Sequence, residues 1–170
     1  MPTIRKCRSD LMDREGIWVG IDPGKAGAIA AIKDRDILQI FPHQKNMSEI
    51  FRHLRLVYDI YHCYLEKQHT MPHDGRVSAF SNGEGYGYCQ GMLDALMLPY
   101  TIIQAKNWLK YHGISTKFKR TERKKIVAYT MQKKYPSANL YGPQGGLKDG
   151  LSDALAIADY CKHQEFFKGE

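Results

Sequence analysis

Residues 17–41 read IWVGIDPGKAGAIAAIKDRDILQIF, and the punctuation of this stretch decides the fold. An apolar run ends on Asp22, Pro23-Gly24 turns the chain, and a second apolar run occupies 27–33. Asp34-Arg35-Asp36 then turns the chain again into ILQIF, 37–41. Three apolar runs joined by two short turns predict an antiparallel meander. A bare carboxylate at the end of a buried strand is costly unless it is paired or binds a cation. The glycine-rich turn beside Asp22 therefore has three readings: simple hairpin geometry, a cradle for phosphate, or a mount for a metal-binding acid.

Outward from this meander, apolar residues at 47, 50, 51, 54, 57 and 60 predict a helix over 46–60, with Asn46 or Ser48 as its cap. A strand over 61–67 follows, carrying Glu66. A polar and aromatic loop, 68–86, leads into a helix over 82–97 whose small residues Gly91 and Ala95 permit close packing. A strand over 100–105, a short helix stopped by Gly113, a basic helix starting near Thr121 and a last helix over 149–163 complete the chain. This order describes a mixed α/β sheet covered by helices, and it fits a ribonuclease H-like architecture: three antiparallel strands, then parallel ones. We expect one such domain over 17–170, preceded by a basic extension, 1–16.

The 170 residues contain no apolar run near the roughly 20 that a spanning helix needs, and no apolar stretch backs the basic N-terminus as in a secretory signal. A cytoplasmic protein without membrane contact is expected. Cys7, Cys63, Cys89 and Cys161 form no C-x-x-C pair and read as reduced thiols. The seven histidines show no metal-ligand spacing. Charge is unevenly distributed. The segment from Lys106 to Lys134 holds ten basic residues against Glu122 alone, whereas the rest of the chain carries 15 basic and 17 acidic residues. All of the net +7 thus belongs to one segment, as in a surface that binds a polyanion.

Asp22, Glu66 and Asp153 each lie in or beside an apolar element, and Asp149 falls one helical turn before Asp153 on the same face. If strands 17–22 and 61–67 are parallel neighbours, Asp22 and Glu66 meet at one sheet edge, where the last helix can add its pair. Clustered carboxylates repel unless a divalent cation neutralises them, and oxygen ligands of this kind suit Mg²⁺ or Mn²⁺ better than zinc. Two such ions would hydrolyse a phosphodiester. The plainer readings are that Asp149 caps its helix and Asp22 starts a turn.

The blocks WVGIDPGKAGAIAAI, YLEKQHTMPHDG, GEGYGYCQGMLDALMLPYTIIQAKNWLK and KDGLSDALAIADYC, taken in order, resemble the RuvC-type Holliday-junction resolvases of the ribonuclease H-like superfamily, above all their phage and organellar versions. The resemblance spans about residues 17–163. It implies a homodimeric, Mg²⁺-dependent endonuclease that cuts opposing strands of a four-way DNA junction, in a phage-encoded, bacterial-cytoplasmic setting. It implies two metal ions per site, replaceable by Mn²⁺, and no small-molecule cofactor. Asp22, Glu66, Asp149 and Asp153 match the family's metal-binding acids; some bacterial members place the third acid where this chain has Gly150. Lys148 adjoins that site and is a candidate phosphate contact. The helix over 82–97 matches the family's dimer helix. Phe80, ahead of Tyr86 and Tyr88, is the preferred aromatic for stacking at the junction centre, and Lys117, Lys119, Arg120, Lys124 and Lys125 would hold the phosphates of the arms. A nuclease acting on RNA/DNA hybrids or other branched DNA, and a non-catalytic junction-binding protein, are the alternative readings.

Overall fold

The computed structural model describes residues 15–33, 36–42, 46–69 and 75–167. Cys7 and nearly all of the basic extension lie outside them. Five strands form one sheet in the order β3-β2-β1-β4-β5: β1 (Gly16–Asp22), β2 (Ala28–Lys33), β3 (Asp36–Pro42), β4 (Asp59–Glu66) and β5 (Tyr100–Ile103). β1, β2 and β3 form the expected antiparallel meander, while β4 pairs parallel to β1 and β5 parallel to β4. This is the mixed, ribonuclease H-like sheet anticipated from the order of elements.

Each face of the sheet carries its own core. Ile17, Val19 and Ile21 of β1, with Cys63 and Leu65 of β4, pack against α1 (Met47–Val57) through Met47, Phe51 and Leu54, and against α2 (Arg76–Ala95) through Cys89, Met92 and Leu93. On the other face, Ala28, Ala30, Ile32 and Tyr64 meet α3 (Ala105–Tyr111), α4 (Arg120–Lys134) and α5 (Asp149–Phe167). The period-2 alternation of side chains along a strand makes this division possible. Cys63, Cys89 and Cys161 are buried, as expected, and Cys89 Sγ lies 3.5 Å from Met47 Sδ. No described helix is long and apolar enough to cross a membrane.

Several expected boundaries move; β5 ends at Ile103 and α5 runs on to Phe167. The first helix stops at Val57, so Ile60 belongs to β4; Asn46 stands at its N-cap position without a side-chain hydrogen bond. α2 begins at Arg76, six residues earlier than expected, which makes Phe80 helical rather than part of a loop. Four glycines between 83 and 91 disguise this helix, at a cost of about 1 kcal/mol each relative to alanine. Its C-terminal half is anchored by burial of Cys89, Met92 and Leu93, and tertiary packing of this kind supplies most of a helix's stability.

α5 lies directly on β1. Ala154, Ala156 and Ala158 are fully buried, and a Cβ at Gly20 would overlap the Ala154 carbonyl oxygen and the Ala158 amide nitrogen. The N-terminus of α5 makes an equally close contact: a Cβ at Gly150 would overlap the carbonyl oxygen of Ala26 in the turn after β1. Gly20→Ala and Gly150→Ala are each expected to lower the unfolding free energy by about 2–3 kcal/mol, because the atoms in the way are backbone. Urea denaturation measures the loss; wild-type stability in both variants would mean that α5 can lift off the sheet without cost.

Candidate active site

The parallel pairing of β1 with β4 sets Ile21 opposite Leu65. Asp22 and Glu66, one residue further on, therefore end adjacent strands at the same edge of the sheet. Gly150, seated on the 26–27 turn, brings the start of α5 to that edge as well. All four acids line one cleft of about 700 Å³. The same contact bars any side chain at position 150, so an acid three residues before Asp153 has no room. The packing admits the four-residue spacing that Asp149 and Asp153 have.

The other walls carry positive and neutral polar groups. α4 turns Arg120, Arg123, Lys124 and Val127 into the cleft, a single helical face spaced by three and four residues. Ser78 and Asn82 of α2, Lys25 of the turn and Trp108 of α3 complete it. Asp22 Oδ1 accepts a hydrogen bond from the Gly24 amide at 3.0 Å, which fixes its carboxylate at the turn. Lys124 Nζ is paired with Asp149 Oδ2.

Desolvation dominates the electrostatics of the acids. Burial raises the Asp22 carboxyl above its ordinary range and the charge of Asp149 adds to this, against the Gly24 amide, Lys124 and Arg120. Glu66 is pushed up to about 8, by burial first and then by Asp22 and Asp153. Asp153 rises to about 7 by burial, then by Asp22 and Asp149, with Lys124 and Arg123 opposing. The buried indole Nε1–H of Trp108 has no partner at hydrogen-bonding geometry; it works on Glu66 in the direction that favours the carboxylate.

Among the described residues, no three His, Cys, Asp or Glu side chains close around one point as a finished metal cage. Asp149 is turned instead to the ammonium of Lys124. The donor set nevertheless fits a hard divalent ion: every candidate ligand is a carboxylate, and three of them are half-buried with their pKa values raised.

The remaining expected contacts scatter around the cleft. Arg120 and Lys124 line it, whereas Lys117, Lys119 and Lys125 are exposed outside its lining on α4 and the segment leading into it. Phe80 is 70 % exposed on α2, two residues from both Ser78 and Asn82. Lys148 lies over Gly142 and is not part of the lining. Arg123, Trp108, Ser78 and Asn82 were not among the expected site residues. Arg123 was legible from its three-residue spacing to Arg120, but nothing in KNWLK marks Trp108 as facing Glu66.

Comparison with solved structures finds the same fold. Thermus thermophilus RuvC in complex with a Holliday junction substrate superposes with a TM-score of 0.63 at 14% sequence identity, covering 90% of this chain and 96% of that one. A second structure of Thermus thermophilus RuvC gives a TM-score of 0.60 at 15% identity, over 89% and 96% of the two chains. No family model matches the sequence, and no curated protein matches it either. At these identities the likeness establishes the fold.

Because the acids have raised pKa values, the folded protein holds more protons than the unfolded chain between the ordinary carboxyl range, near 4.5 for Glu66, and about 8. Stability without divalent ions is therefore expected to fall as pH rises through that window. Thermal melts in EDTA from pH 5 to 8 check this. Glu66→Gln should raise stability at pH 8 by about 1–3 kcal/mol and flatten the decline. A wild-type melting temperature independent of pH would contradict the burial of these charges.

Proposed function

We propose that this protein is a divalent-metal-dependent endonuclease that resolves four-way DNA junctions by hydrolysing phosphodiesters symmetrically on opposing strands. The observation that carries this reading is the convergence of Asp22, Glu66, Asp149 and Asp153 on one cleft walled by the basic face of α4. The fold shared with RuvC, one of whose structures holds a Holliday junction substrate, supports the choice of DNA substrate. In this reading the four carboxylates hold two Mg²⁺ ions, with Mn²⁺ able to replace them. Such ions supply Lewis acidity and a water acidic enough to attack phosphorus near neutral pH. Asp22, fixed by the Gly24 amide, and Glu66, faced by the Trp108 indole, keep their oxygens directed into the cleft. Arg120 and Arg123 meet the negative phosphate and draw the strand onto the acids. Lys117, Lys119 and Lys125, exposed beyond the cleft, hold the phosphates of the arms, which makes binding steeply dependent on salt. Phe80 projects from α2 to stack on a base at the junction centre.

Symmetric cutting calls for two sites, and α2 offers the surface on which two copies meet. Gly83, Gly87, Gly91 and Ala95 recur every four residues and are exposed, and a Cβ at any of the three glycines would have open space around it. Such a stripe allows two helix backbones to approach closely. Val77 and Tyr88 of the same helix, 84 % and 44 % exposed, supply apolar area beside it. Cytoplasmic residence in a phage-infected host fits this assignment.

Asp22→Asn is expected to lower junction cleavage in Mg²⁺ by on the order of a thousandfold, while junction binding stays within a few fold of wild type. Labelled four-way junction, linear duplex and RNA/DNA hybrid, incubated in parallel, give the test. Paired nicks confined to the junction support the assignment, and preferential cutting of the hybrid would overturn the substrate. Gly87→Leu combined with Gly91→Leu should yield a monomer by light scattering and uncouple the paired nicks; a dimer of unchanged stability would move the interface elsewhere.

A further inference from the structure

Lys124 was expected to contact DNA phosphate, yet in the protein alone it is paired with one of the four acids. Its Nζ meets Asp149 Oδ2, and both side chains are 30 % exposed at the wall of the cleft. Among the described ion pairs, Asp149 alone of the four acids meets a lysine directly, although its charge still bears on Asp22 and Asp153, as those two bear on Glu66. One carboxylate cannot serve an ammonium and a divalent ion equally, because the two cations would repel at contact distance.

A second lysine–aspartate pair explains how the first can open without disturbing the fold. Lys134 Nζ meets Asp159 Oδ2 at 2.6 Å, and Asp159, 4 % exposed, also accepts a hydrogen bond from the Tyr135 hydroxyl at 2.5 Å. In each pair the aspartate follows its lysine by 25 residues. α4 and α5 therefore run parallel in one register, tied at two levels about 15 Å apart along their axes. The deeper tie involves Lys134 at the end of α4, Tyr135 just beyond it and one buried carboxylate. It holds the helix in place whether the outer tie is closed or open, so Lys124 can release Asp149 by side-chain rotation alone.

Building on the nuclease reading above, we propose that Lys124 is an internal counter-ion of Asp149, which a divalent cation must displace. The released ammonium then joins Arg120 and Arg123 on the phosphate-facing wall. The exchange couples the two ligands: metal frees a cation for DNA, and DNA that engages Lys124 opens Asp149 to metal. By linkage, each raises the other's affinity by the same factor.

Titration of Mn²⁺ into the full-length protein without DNA, followed by electron paramagnetic resonance of the free ion, tests the exchange. Lys124→Met and Lys124→Gln are expected to bind Mn²⁺ about five- to tenfold more tightly than wild type, because the competing ammonium is gone. Lys124→Arg, which keeps the competing charge, should bind as wild type does. Unchanged or weaker Mn²⁺ binding in both neutral variants, with wild-type binding intact, overturns the counter-ion role and makes Lys124 a residue that positions Asp149. Absence of Mn²⁺ binding in wild type and variants alike would instead sink the metal assignment, and the nuclease reading with it. The two neutral variants differ in polarity, so one that fails to fold leaves the other to decide.

Discussion

The contact between α5 and the sheet is the constraint on which the rest of the site depends. At Gly20 and Gly150 the helix meets the β1 strand and its following turn with no side chain between them. A helix held one side-chain layer higher would carry Asp149 and Asp153 away from Asp22 and Glu66, and the cleft would lose half of its acids. Backbone contact fixes distances more tightly than side-chain packing does, since it leaves no rotamers to adjust. The same contact excludes an acid at position 150 and thereby sets the spacing of the pair that α5 contributes.

Bringing the acids together creates a charge problem that the fold solves only in part. Asp22, Glu66 and Asp153 are buried enough that desolvation, more than their mutual repulsion, raises their pKa values. Arg120, Arg123 and Lys124 on α4 offset some of the negative charge, and one of them forms a direct pair. A divalent cation bound among the carboxylates would relieve such stress. The basic helix thus belongs to the acidic site as much as to any DNA-binding surface.

Much of this was legible in the sequence, for identifiable reasons. The turns at Pro23-Gly24 and 34–36 announced the meander, whereas the parallel partnership of β1 with β4 entered as a condition that the structure meets. Once that pairing was assumed, the convergence of Asp22 with Glu66 followed from their positions at the strand ends. Helix α2 hid behind its glycines, whose propensity argues against the conformation that tertiary burial of Cys89, Met92 and Leu93 imposes. The partner of Lys124 was not legible, because an ion pair between residues 25 apart depends on helix register rather than on local pattern. Trp108 was missed for a related reason: its ring belongs to the core while its one polar atom faces the acid.

The sheet also partitions the molecule's tasks. One core joins it to α3, α4 and α5, which carry most of the charged cleft, while a separate core joins it to α1 and α2. Among the described residues, the ends of β1 and β4 with the residues just after them and the first turns of α2 also reach the cleft. Side chains on the outer surface of α1 and the latter half of α2 can therefore be exchanged without altering the spacing of the acids. Changes on that outer layer bear on what the molecule touches, whereas changes at the backbone contacts of α5 bear on the acids themselves.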